Sequence, residues 1–252
     1  MFQMIRPFLP ALAMAFSFAL PAQALDLSQM SDAERDSFRA EIRAYLLENP
    51  QVIMEAVAVL EKRQEEEQAQ SDLDLIKVNA DSLFYDGHSW VGGNPEGDIT
   101  LVEFMDYRCG YCRRAFDEVN ELLKTDGNIR FIVKEFPILG KESVVASRFA
   151  IATQQVAGAE AYKSVHDALM TFNGTINDTS LGRLADTLGL DANKITAHMD
   201  SDEVSAVIAA NHALGQRLSI SGTPSFVMQD RMLRGYLPLD AMQQIAEEIR
   251  TQ

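Results

Sequence analysis

Two cysteines, Cys109 and Cys112, are the only ones in the 252-residue chain, and they stand one helical turn apart. A disulfide between them would close so small a ring that it adds little chain-entropy stabilisation. The pair therefore needs a chemical explanation, and thiol–disulfide exchange supplies one. A cysteine at the start of a helix meets free backbone amides and the positive end of the helix dipole, both of which favour its thiolate. Only the thiolate attacks a disulfide, so Cys109 reads as an exposed nucleophile and Cys112 as the thiol that resolves the mixed disulfide. Arg108, Arg113 and Arg114 add positive charge in an otherwise acidic chain, although a solvated helix face is the plainer reading of each. Half of a zinc site is the competing reading, completed by two of His88, His166, His198 and His212. None of these has a histidine partner at zinc-finger spacing, so no metal is expected, and the thiol pair needs no cofactor.

The elements that must position the pair can be read around it. Ile99 to Met105 is a buried strand, Arg113 to Lys124 has helical periodicity, and Ile129 to Val133 is a second strand. Strand, Cys-x-x-Cys, helix and strand make the start of a βαβ unit, the setting in which this motif is redox-active. Gly92 to Gly97 is a turn-rich boundary ahead of it. Glu142 to Leu218 is helical almost throughout, with breaks near Gly158, Asn173-Gly174, Gly189 and Asp200. Ser225 to Met228 and Met232 to Gly235 then form a strand pair turned at Gln229-Asp230, and Leu239 to Ile249 is an amphipathic helix.

Upstream, Ser31 and Glu34 form a capping box before a helix running to Glu48, with Phe38, Ile42, Tyr45 and Leu46 on one face. Asn49-Pro50 ends that helix and opens another bearing Val52, Ile53, Ala56, Val57 and Leu60. The charged run Glu61 to Gln70 follows as a solvated helix or linker. Residues 25–70 thus read as an N-terminal helical appendage, and residues 71–252 as the main domain. Two short helices cannot bury these apolar positions alone, so they must pack on the main domain or on other copies of themselves.

Residues 1–24 read as a secretory signal. A weakly positive start precedes the apolar run Pro7 to Leu20, and Ala22-Gln23-Ala24 is a small-x-small cleavage site. The run is too short to span a bilayer comfortably, so a soluble, exported protein is expected. The net charge of −15 argues against nucleic-acid partners.

The run Val102-Glu103-Phe104-Met105-Asp106-Tyr107-Arg108-Cys109-Gly110-Tyr111-Cys112 resembles the active-site strand and turn of the DsbA family, closest to its ScsC-like members. The resemblance implies an α/β thioredoxin fold with a helical domain inserted at about residues 141–218. It also implies a buried acid at Glu103 that assists proton movement from Cys112, as a buried carboxyl with raised pKa can. Between Val102 and Phe104, however, the face that Glu103 occupies stays undecided. Lys134 to Gly140 resembles the segment after the family's second strand, and Ser221-Gly222-Thr223-Pro224-Ser225-Phe226 its cis-proline loop. Thr223 and Pro224, with Gly110 and Tyr111, are then the substrate-binding residues. Thr223 would offer its backbone to a client strand beside Cys109.

DsbA-type oxidases often place histidine before the second cysteine, where this chain has Tyr111. Gly-Tyr between the cysteines and Thr before the proline look more like bacterial disulfide isomerases. ScsC-like proteins form trimers through their N-terminal region, and the family carries a link to copper tolerance, although these residues show no copper site. The resemblance implies a periplasmic homotrimer that meets exported client proteins and a membrane redox partner, as isomerase or reductase. A monomeric oxidase and a copper- or zinc-binding or chaperone module are the alternatives.

Overall fold

The computed structural model describes residues 27–251. The expected secretory signal lies outside them. The chain divides after Leu60 into two compact units. In the first, Ser31 caps helix α1 (Asp32–Glu48), its Oγ accepting from the Glu34 amide while the Glu34 carboxylate accepts from the Ser31 amide at 2.8 Å. Asn49 ends α1, donating its N–H to Tyr45 O. Helix α2 (Gln51–Val78) begins after Pro50 and runs unbroken through the charged stretch Glu61 to Gln70. No residue of α1 is buried. Phe38, Ile42, Tyr45, Ile53, Met54, Val57 and Leu60 all lie exposed.

In the second unit, short helix α3 (Ala80–Phe84) precedes β1 (Trp90–Gly93) and β2 (Ile99–Met105). Helix α4 (Gly110–Asp126) then crosses to β3 (Ile129–Glu135). After β3 come the helices α5 (Lys141–Ala157), α6 (Ala159–Thr171), α7 (Asp178–Thr187), α8 (Ala192–His198) and α9 (Asp202–Arg217). The chain returns as β4 (Ser225–Met228) and β5 (Arg231–Arg234) and closes with α10 (Leu239–Arg250). Among the described residues the strands form one sheet in the order β1-β3-β2-β4-β5. Only the β2–β3 pair is parallel. This is the expected thioredoxin-like fold with its helical insertion. The strand β1 is an addition, because Gly92-Gly93 reads as a turn and only pairing with β3 makes it a strand.

Central position explains why β2 is apolar on both faces, since helices cover both sides of the sheet. Leu101 and Met105 join the core beneath α4, α5 and α6, while Val102 and Phe104 join a second cluster with Ile76, Leu83, Leu214 and Leu218. Alternation along the strand therefore settles the open question: Glu103 projects to the α4 side. Ala115, Val119 and Leu122 bury one face of α4 against that core, and each large aliphatic side chain there contributes about 1.5–3 kcal/mol. Gly127 stops α4 with φ 72°, in the left-handed region that suits glycine, and its N–H reaches Leu123 O at 3.1 Å.

Candidate active site

Cys109 is the N-cap residue of α4, so the first free amides of the helix point back at its sulfur. The Cys109 thiol titrates well below the ordinary range, at about 5. The largest cause is a hydrogen bond from the Cys112 thiol, joined by the Thr223 side chain and the backbone amides of Cys112 and Tyr111, against the opposing effect of burial. Cys109 Sγ lies 3.1 Å from Thr223 O. A carbonyl oxygen only accepts, so this contact favours the thiol rather than the thiolate, and the Cys112 thiol, the Thr223 side chain and the helix amides together outweigh it. The expectation of an exposed nucleophile is corrected here. Cys109 is only 6% exposed, because the Thr223-Pro224 loop covers it, whereas Gly110 is open and Tyr111 is 64% exposed.

Cys112 is fully buried one turn into α4. Burial, the hydrogen bond to Cys109 and the charge of Glu103 together push its thiol far above the usual range. Two chemically identical groups are thus driven in opposite directions over a single turn. Glu103, 2% exposed, has its carboxyl raised to about 8 by burial, by the charge of Cys109 and by Glu135. Its Oε1 has no hydrogen-bond partner among the described residues.

The Thr223–Pro224 peptide bond is cis. Pro224 O accepts from the Gly235 amide at 3.0 Å, which ties the loop to the end of β5. Thr223, Pro224, Cys109, Gly110, Tyr111 and Cys112 therefore meet at one end of the sheet. Arg108 and Arg113 are not simply solvated. Arg108 pairs with Glu142 at 3.2 Å, and Arg113 Nε donates to Tyr107 O at 2.9 Å. Arg114 is exposed and lies over the Tyr236 ring.

Asp106 stands in the motif and is fully buried, with a role that no local pattern marks. Its Oδ1 accepts from the Arg108 amide at 2.8 Å, and its Oδ2 accepts from the amides of Ile138 and Leu139 at 2.8 and 3.0 Å. One carboxylate thereby fastens the turn before Cys109 to the segment after β3. Lys134 and Glu135, adjacent in sequence, separate to opposite faces of that strand. Lys134 donates to Ser82 O and Asp86. Glu135 turns toward α6. The signal that could have found them is a charged pair directly after the apolar run Phe131-Ile132-Val133.

The four histidines go to separate places. His166 lies against Tyr107, His198 meets Gln155 and His212 packs on Phe136, while His88 contacts Asp86. Among the described residues no group of three histidine, cysteine or acidic side chains could hold a metal ion, and no helix is long and apolar enough to cross a membrane.

The DSBA-like thioredoxin domain matches over residues 100–247, and the Copper resistance protein ScsC N-terminal domain over residues 34–67. A solved thioredoxin-like oxidoreductase from Silicibacter pomeroyi DSS-3 is 44% identical, with a TM-score of 0.64, covering 68% of this chain and 98% of that one. ScsC of Proteus mirabilis in a transitional conformation is 25% identical, with a TM-score of 0.63, covering 88% of this chain and 97% of that one. Among curated proteins, the Na(+)/H(+) antiporter NhaA 1 of Salinispora arenicola is 31% identical over 154 residues, which is 60% of this chain. The chain spans only 23% of that relative's length. With more than half of its length matched, and the cysteine pair, the cis-proline loop and the helical insertion in place, the chain belongs to the DSBA-like thioredoxin domain family and carries an ScsC N-terminal domain ahead of that fold.

Proposed function

We propose that this protein is an exported, periplasmic thiol–disulfide oxidoreductase that reduces or isomerises disulfides of client proteins. The observation that carries the reading is the opposed ionisation of the two thiols, Cys109 lowered to about 5 and Cys112 buried and raised. At neutral pH Cys109 is an anion and attacks one sulfur of a client disulfide, releasing the other client sulfur as a thiolate. The mixed disulfide can then be resolved in two ways. Cys112 gives its proton to the Glu103 carboxylate and attacks Cys109 Sγ, expelling the second client thiolate; the client is reduced by two electrons and the protein leaves oxidised. In isomerisation another client thiol attacks instead, and the protein leaves reduced. Thr223 offers its backbone to the client chain, while Gly110 and Tyr111 present an open surface beside it.

Isomerase or reductase is favoured over oxidase by the Gly110-Tyr111 dipeptide and by the exposed apolar positions of α1 and the start of α2. Residues 25–70 are assigned to self-assembly, most simply as a homotrimer, and a membrane partner would restore the thiols. The test is trapping. Cys112→Ser should accumulate mixed disulfides with exported proteins, and Cys109→Ser should accumulate none. Equal trapping by the two variants, or the reverse order, would sink the assignment.

A further inference from the structure

A second buried acid lies beside the site. Glu135 is 3% exposed, and its Oε1 accepts from Tyr107 Oη at 2.8 Å and from Tyr162 Oη at 2.6 Å. Tyr107 has only one proton, and Glu135 receives it, so the 3.1 Å contact between Tyr107 Oη and His166 Nδ1 requires His166 to donate. Tyr107 belongs to the turn that leads into Cys109, whereas Tyr162 and His166 belong to α6 of the insertion. Glu135 Oε2 has no partner among the described residues.

Register brings this acid to Glu103. Glu103 pairs with Val133, and Met105 with Glu135, so the two carboxyls leave the same face of neighbouring strands two residues apart. A cavity of about 40 Å³ lies on the same side, lined by Glu103, His166, Lys163 and Asn120 among others. His166 therefore touches the Glu103 cavity on one side and the Tyr107–Glu135 pair on the other.

We propose that Glu135 is a positioning residue of the exchange reaction: its buried carboxyl, held by Tyr107 and Tyr162, sets the acidity at which Glu103 accepts the proton of Cys112. The inference rests on the exchange reaction proposed above. The titratable groups facing Glu135 are Asp106 and Tyr107 from the turn, Glu103 from β2 and Tyr162 from α6, with His166 of α6 lying against Tyr107. Burial raises Glu135 to about 7 despite the hydroxyls of Tyr162, Tyr107 and Ser147 of α5, and burial, reinforced by Lys163, holds His166 down near 3 and hence neutral. Around neutrality Glu135 thus carries part of a negative charge. At a separation of about 7 Å, two carboxylates inside a protein displace one another's titration by the order of one pH unit. An anionic Glu135 makes Glu103 the stronger base.

The experiment mixes reduced protein with an excess of the coloured disulfide of thionitrobenzoate over a range of pH. The first release of coloured thiol reports attack by Cys109, and the second reports attack by Cys112 on the mixed disulfide. In the wild type the second release should accelerate as Glu103 ionises, with a midpoint below the value of about 8 that holds in the reduced protein, because the mixed disulfide lacks the Cys109 charge. Glu135→Gln should move that midpoint down by about half to one pH unit and leave the first release unchanged. Tyr162→Phe keeps the carboxyl but removes a donor to its anion, so Glu135 is more often neutral and the midpoint moves the same way. Glu103→Gln should remove the pH step. If Glu103→Gln removes it and neither Glu135→Gln nor Tyr162→Phe moves it, Glu135 has no such role and the reading of Glu103 stands. If Glu103→Gln leaves the step intact, both fall. Absence of a first release in the wild type would refute the exchange reaction itself.

Discussion

Replacing Glu103 by glutamine should make the reduced protein more stable at alkaline pH while impairing it as a catalyst. Glu103 titrates at about 8 in the fold, against an ordinary value of 4.5. Between these limits the folded chain keeps a proton that the unfolded chain gives up. The folded value is the higher one, so stability is fully present below 4.5 and is lost as the pH rises through about 8. At about 1.4 kcal/mol per pH unit, the gap amounts to about 5 kcal/mol. Local relaxation and water penetration bring the expected cost down to about 2–4 kcal/mol. Glutamine cannot ionise, so Glu103→Gln should match the wild type within about 1 kcal/mol in acid and exceed it by about 2–4 kcal/mol above pH 8. Urea unfolding of the reduced proteins over that range measures this directly. The difference should shrink in the disulfide form, which lacks the Cys109 charge that helps to raise Glu103. Parallel pH profiles for the two reduced proteins would refute the reasoning, because they would mean that Glu103 ionises as freely in the fold as outside it.

Three further outcomes are expected. Cys112→Ala removes the largest influence holding Cys109 near 5 and should raise its titration, followed by thiolate absorbance, by about one to two pH units, whereas Cys112→Ser keeps a donor and should raise it less. Asp106→Asn replaces one of two accepting oxygens by an amide that faces backbone N–H groups, and denaturant unfolding should show a loss of about 2 kcal/mol. A form starting at Ser71 should sediment as a monomer, still reduce small disulfides and fail to isomerise scrambled proteins, while the longer form should sediment as an oligomer.

Local patterns made much of this fold legible. The strand Ile99–Met105 has the bounds read from its apolar run, and Ser31 caps α1 as its spacing with Glu34 indicates. The face of Glu103 was not legible, since a strand buried on both sides has no polar alternation to orient it. Strand β3 extends two residues beyond Val133 because Lys134 and Glu135, which look like an exposed end, are both buried and each find partners from elsewhere in the chain. The same limit hid the polar network. Tyr107 meets Glu135 and His166 across 28 and 59 residues of sequence, and no local spacing encodes such a meeting. The cysteine pair was readable because its chemistry lies within one turn of helix; the acids that serve it are assembled by the sheet.

The uneven pair of thiols also fixes how the couple answers to acidity. From about pH 5 to about pH 8 the reduced thiol pair holds one hydrogen, on Cys112, and one bare negative charge, on Cys109, while Glu103 keeps a hydrogen of its own. Closing the disulfide across that interval therefore discharges a single hydrogen ion for two electrons. The midpoint voltage then drifts by about 30 mV per pH unit, half the gradient of a couple that sheds two hydrogen ions. An electrode poised against this site would see a gentler gradient than against an ordinary dithiol, steepening below about pH 5 as Cys109 takes up its own hydrogen. Oxidising strength is thus partly insulated from the surroundings, a steadiness that comes from where one helix begins.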